Sequence, residues 1–110
     1  MKRITLALAL LFAIPLFGQG AHQVTLTWTA STDGGAVTVY RASGACSTSS
    51  IFTAVTTGVA VNTFVDSTVT VGSFCYEVTT VVGGAESLPS NQVTARILPG
   101  APTALLAIPK

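Results

Sequence analysis

Val24-Thr25-Leu26-Thr27-Trp28-Thr29 places an apolar side chain at every second position, with threonine between. A period of two is that of an extended strand, whose successive side chains point to opposite faces. Val24, Leu26 and Trp28 therefore face a core and the threonines face water. The same alternation returns in Val37 and Val39, in Phe74, Tyr76 and Val78, and in Val93, Ala95 and Ile97. Ile51–Val55 reads as a short third strand and Thr63-Phe64-Val65 as a fourth. Turn chemistry separates them: Ser31-Thr32-Asp33-Gly34-Gly35, the small-residue loop Gly44 to Ser50, Gly58, Gly83-Gly84 and Pro89. Gly34-Gly35 and Gly83-Gly84 both read as hairpin glycines. Beyond Ala21 no stretch has helical spacing, and no internal repeat is read at this length. Many short, β-branched strands argue for an all-β sandwich or barrel. Its expected core is Leu26, Trp28, Val37, Val39, Phe64, Tyr76 and Val78.

The chain opens Met1-Lys2-Arg3, followed by an apolar run from Ile4 to Phe17 and then Gly18-Gln19-Gly20. A basic start, a short apolar stretch and small residues at its end are the parts of a secretory signal. The other reading is a retained membrane anchor, against which the run is about 14 residues long and contains Pro15, where a span needs roughly 20. The expected division is a signal peptide over 1–20, one domain over 21–98 and a Pro- and Ala-rich tail over 99–110. The expected destination is outside the cell, in the periplasm or on the cell surface.

Cleavage after Gly20 would leave Arg41, Arg96 and Lys110 against Asp33, Asp66, Glu77 and Glu86, a net charge of −1. Such a surface offers no basic footprint for nucleic acid and no patch for anionic lipid. Charged residues are 8% of the chain, so its surface is built largely from Thr, Ser, Gly and Ala.

Cys46 and Cys75 are the only cysteines. In an exported chain an even count suggests a disulfide. Free thiols and a two-cysteine share of a metal site are the other readings, the latter poor because only His22 could join them.

Val24 to Ser31, Val37-Thr38-Val39-Tyr40-Arg41, Thr63-Phe64-Val65-Asp66 and Phe74 to Asn91, in this order, resemble a fibronectin type III domain. The resemblance runs from Val24 to about Ile97. It implies an immunoglobulin-like antiparallel β-sandwich with Trp28 in the core. It makes the third and sixth strands neighbours and so brings Cys46 and Cys75 together, which supports their pairing. The family places a tyrosine near the start of the sixth strand, whose hydroxyl ties down a corner. Phe74, Cys75 and Tyr76 crowd that place. No Arg-Gly-Asp tripeptide is present, so integrin binding is not implied.

The family's first strand precedes the tryptophan strand by some ten residues. After cleavage only Ala21-His22-Gln23 would stand before Val24, so that strand is expected to be missing or supplied by a tail. Gly100 to Ala107 resembles the linker and first strand of a following domain. Two readings of the tail follow: Thr103, Ala104, Leu105 and Leu106 donate a strand to a neighbouring molecule, or the tail is disordered and the sandwich tolerates a short edge.

No catalytic arrangement is read. His22 stands at the mature terminus, where no fold holds it beside a nucleophile. Asp33, Asp66, Glu77 and Glu86 read as turn-forming or solvated, with Glu77 placed to pair across strands with Arg41 or Arg96. Tyr40 points outward and is the aromatic best placed to contact a partner. No cofactor and no metal are implied. The expected function is a non-catalytic adhesion or interaction module that binds extracellular protein or polysaccharide. The alternative is a structural subunit that polymerises head to tail by donating its C-terminal strand.

Overall fold

The computed structural model describes residues 12–15 and 22–110. The signal reading over 1–20 therefore lies outside the described residues, apart from the backbone of 12–15. Eight strands form two sheets: β1 (Phe12–Pro15), β2 (Val24–Thr27), β3 (Ala36–Ser43), β4 (Thr53–Val59), β5 (Thr63–Asp66), β6 (Gly72–Val82), β7 (Ala85–Glu86) and β8 (Val93–Ile97). One sheet has the order β1-β2-β5. The other has the order β4-β3-β6-β7, with β8 also paired to β6. All pairings are antiparallel. The fold is the expected all-β sandwich.

The inward faces meet where the alternation places them. Val24, Leu26, Trp28, Val37, Val39, Tyr76, Val78, Ala95 and Ile97 form one buried cluster, joined by Val69. Phe64 is only half-buried and packs against the edge of that cluster, because β5 is an outer strand of its sheet. Burying side chains of this size contributes roughly 1.5–3 kcal/mol each for the larger ones.

Two readings of the sequence are corrected, and a third concerns the position beside β2. The strand there is expected to be missing or supplied by a tail once residues 1–20 are removed; in the chain that retains them, β1, drawn from the apolar run, pairs with β2 from Phe12 opposite Thr27 to Pro15 opposite Val24. A strand-forming apolar segment ending in proline suits an edge, where the missing donor leaves no ladder bond unmade. Gly34-Gly35 is not a hairpin. β2 and β3 lie in different sheets, and the turn carries the chain from one to the other. Gly83-Gly84 is one, joining Val82 to its partner Ala85 with both glycines at positive φ, 56° and 80°, the backbone a two-residue hairpin of this hand requires. The strand expected over Ile51–Val55 starts later and runs further, as Thr53–Val59. A turn closed by Ser50 N donating to Ser47 O at 3.2 Å lengthens the loop before it and leaves Ile51 outside. Pairing with β3 then continues past Gly58 through register shifts.

Residues 99–110 make no strand and are exposed throughout. No helix among the described residues is long and apolar enough to cross a membrane.

Candidate functional site

Asp66 is the polar centre of the domain. It ends β5 and is 1% exposed, not the solvated or turn-forming carboxylate expected. Its Oδ1 accepts from Thr68 N at 3.0 Å and Thr68 Oγ1 at 2.6 Å. Its Oδ2 accepts from Arg41 Nη1 and from the Tyr76 hydroxyl, both at 2.7 Å. Arg41 Nη1 also donates to Thr68 Oγ1 at 2.8 Å. Four donors fill the acceptor positions of an ionised carboxylate. Arg41 and Tyr76 stand opposite each other in the β3–β6 register, so their side chains share a face and converge on the other sheet. Glu77 therefore does not receive Arg41. Gln92 Nε2 donates to its Oε1 instead, at 3.1 Å.

Charge and burial compete at this centre. Burial pushes the Asp66 carboxyl up, but hydrogen bonds from Thr68, Tyr76 and Arg41 together hold it below the usual carboxylate range. Burial and the adjoining Asp66 carboxylate drive the Tyr76 phenol well above its ordinary value. Burial disfavours the Arg41 charge, yet the Asp66 bond raises its pKa all the same. The uncertain place at the start of the sixth strand is thus resolved. Tyr76 is inside and bonded, and Phe74 lies half-buried beneath the guanidinium of Arg41, 5.4 Å from ring centroid to Cζ.

The two cysteines are joined, with 4.9 Å between their Cα atoms. Cys75 is fully buried in β6, and Cys46 N donates to Thr94 Oγ1 at 3.0 Å. The disulfide pins the loop after β3 to β6, and the bond to Thr94 ties it to β8.

Tyr40 is half-buried and is not a free contact. Its hydroxyl donates to Glu86 Oε2, which also accepts from Thr79 Oγ1 at 2.6 Å. These two bonds hold the Glu86 carboxyl below its ordinary value, while the bond to Glu86 raises the Tyr40 phenol.

Two serines carry the strand order between β7 and β8. Ser87 N donates to Thr80 O at 2.8 Å and Thr80 N donates to Ser87 Oγ at 2.9 Å. Ser90 N donates to Val78 O at 2.8 Å, and Val78 N to Ser90 Oγ at 3.0 Å. Each hydroxyl thus stands in for a carbonyl, and the β6 ladder stays satisfied where Pro89 breaks the neighbouring strand.

A cleft of about 260 Å³ opens at one end, lined in part by Trp28, Gly34, Gly35, Val37, Val59 and Asn62. The Trp28 indole N–H beneath it is buried and meets no acceptor among the described residues. No group of three or more His, Cys, Asp or Glu that could hold a metal occurs among the described residues.

Exposed apolar surface lies elsewhere. Leu105, Leu106 and Ile108 on the tail are 93%, 80% and 83% exposed. Val61, Val71 and Leu88 are exposed on loops. Sequence reasoning missed Asp66, although the aromatic-x-Asp pattern that held it was visible in Phe64-Val65-Asp66.

No protein-family model matches the chain, and no curated protein matches it. Among solved structures it is similar to a Fn3-like protein from Clostridium thermocellum, with a TM-score of 0.63 and 19% sequence identity. That match covers 90% of this chain and 100% of the other. The shared architecture establishes a fibronectin type III-like fold.

Proposed function

We infer that this chain is an exported, non-catalytic interaction module whose partner is an extracellular protein or polysaccharide. One observation carries the reading: the polar groups that burial and charge have perturbed most are consumed inside the fold. Asp66, Arg41 and Tyr76 satisfy one another across the two sheets, and Tyr40 bonds to Glu86 on the surface of one sheet. Groups so engaged hold strands together and leave little to act on a substrate. The disulfide fits an oxidising compartment, and the leader pattern supplies the route to it. Surface plasmon resonance of the exported protein over immobilised matrix proteins and polysaccharides tests this. Saturable binding to one of them is expected, and a flat response across the panel would reject it.

A second reading is favoured by a different observation. The edge position beside β2 is filled from the leader run, so export with cleavage would empty it, and the exposed tail is apolar. An unpaired edge over a buried face is a template for strand addition. On this reading the chain is a structural subunit assembling by strand exchange, and negative-stain microscopy of the exported material shows filaments.

A further inference from the structure

The strand beside β2 has a near-copy at the far end of the chain. Leu11-Phe12-Ala13-Ile14-Pro15 and Leu105-Leu106-Ala107-Ile108-Pro109 are identical except that Leu106 stands where the first has Phe12. The first contains β1, with Phe12 opposite Thr27, Ala13 opposite Leu26, Ile14 opposite Thr25 and Pro15 opposite Val24. The second is exposed and unpaired with any strand. Both are continuous apolar runs closed by a proline, which an edge tolerates.

We propose that Leu106–Pro109 of one molecule occupies the β1 position of a second copy after the leader is removed, with Leu106 opposite Thr27, Ala107 opposite Leu26, Ile108 opposite Thr25 and Pro109 opposite Val24. This rests on the strand-exchange reading above and gives it a donor, an acceptor and a register. Loss of β1 would leave the outer ladder of β2 unpaired beside the fully buried Val24 and Leu26. The expected donor, Thr103 to Leu106, moves along the chain. Ala104 sits at φ 58°, a left-handed value that breaks an extended run before Leu105. Pro99 and Pro102 fix their own φ and keep the residues before them extended. They stiffen the chain between β8 and the segment. Each copy then has one slot and one donor on different surfaces, so the contact is head-to-tail and propagates.

The test uses full-length chain expressed with its own leader and collected after export. Mass spectrometry reads the mature terminus. A product retaining residues 12–15 keeps its slot filled and overturns the proposal. Thr25→Cys with Ile108→Cys is oxidised and run on a non-reducing denaturing gel. A ladder of covalent multimers is expected, absent from either single variant and from Thr25→Cys with Thr103→Cys. An equal ladder from the Thr103 pair overturns the register, and a cross-linked monomer overturns the second copy in favour of the chain's own tail. Filaments by negative stain with no cross-link sink this inference but leave strand exchange standing; neither filaments nor cross-link sinks both. Unsubstituted protein provides the check that needs no variant to fold. A synthetic peptide of residues 101–110 in excess is expected to dissociate multimers to monomers, and the same peptide with Ile108→Asp to leave them intact. Failure of the unaltered peptide to shorten them overturns the assignment.

Discussion

Tyr76, in the five-stranded sheet, donates its hydroxyl to Oδ2 of Asp66, in the three-stranded sheet, at 2.7 Å. Arg41 reaches the same oxygen from the β3 position opposite Tyr76. The sandwich is therefore closed by a polar tie as well as by its core. Removing one member of such a tie differs in cost according to what is left behind. Tyr76→Phe leaves Asp66 with Arg41 and Thr68 and is expected to cost about 1–2 kcal/mol. Asp66→Ala strands a buried phenol and a partly buried guanidinium and is expected to cost about 3–5 kcal/mol. Urea unfolding of each single variant and of the double measures the coupling. Strictly additive losses would mean that the two residues do not act together.

The same centre gives stability two pH limits. The Asp66 carboxyl titrates lower in the fold than in the unfolded chain. Its contribution is complete above the unfolded value of about 4 and is lost as pH falls through the lower folded value. The Tyr76 phenol titrates higher in the fold. Its contribution is complete below the unfolded value of about 10 and is lost as pH rises towards the folded one. Melting temperature should thus be level between these limits and fall on both sides. Asp66→Asn should flatten the acid fall and Tyr76→Phe the alkaline one; an acid limb unchanged in Asp66→Asn would assign it to other carboxylates.

Reduction isolates the Cys46–Cys75 link. Its ends are 29 residues apart, and closing a loop of that length stabilises the fold by about 3–4 kcal/mol in the chain-entropy picture. The Cys46→Ala, Cys75→Ala double variant should fold with its midpoint of denaturation lowered accordingly. Unchanged stability would place the constraint elsewhere, in the Gly44 N to Ser73 O bond at 2.8 Å that ties the same loop to β6.

The strands were legible because burial imposes a period of two on Val24 to Trp28 and on Phe74 to Val78, and that period survives without knowledge of partners. What the period does not carry is pairing across sheets. Asp66 looks like a turn residue beside Ser67 and Thr68. Only the β3–β6 register, which aims Arg41 and Tyr76 at it, shows it to be a centre. Gly34-Gly35 failed for a related reason, since a glycine pair marks a reversal without saying whether it stays in one sheet. The strand beside β2 was hidden because an apolar run after a basic start reads as an export signal, and the same composition suits an edge strand. In Phe12-Ala13-Ile14-Pro15 the two demands coincide.

The serine ladder predicts local effects. Ser90→Ala removes the acceptor of Val78 N, and Ser87→Ala that of Thr80 N. A buried donor left unsatisfied costs about 1–3 kcal/mol. Hydrogen exchange should accelerate at the amide whose partner is lost more than at the other. Equal acceleration at both would show that the loop from Ser87 to Ser90 opens as one piece.

The turn between the sheets offers a comparison of neighbours. Gly34 and Gly35 both have positive φ, 71° and 95°. A Cβ on Gly34 would meet nothing within 4 Å, whereas one on Gly35 would lie 2.5 Å from Val81 O and 2.5 Å from Val82 Cγ2. Gly34→Ala therefore carries only the left-handed penalty, about 1 kcal/mol. Gly35→Ala adds a collision with the β6 backbone, which cannot swing aside as a side chain would, and should cost about 2–4 kcal/mol. Chemical denaturation of the two variants side by side checks the difference. Equal losses would mean that the turn, and with it the close approach of the chain to β6, shifts freely. In that case the crossing from β2 to β3 is set by the strands it joins rather than by the contact at Gly35.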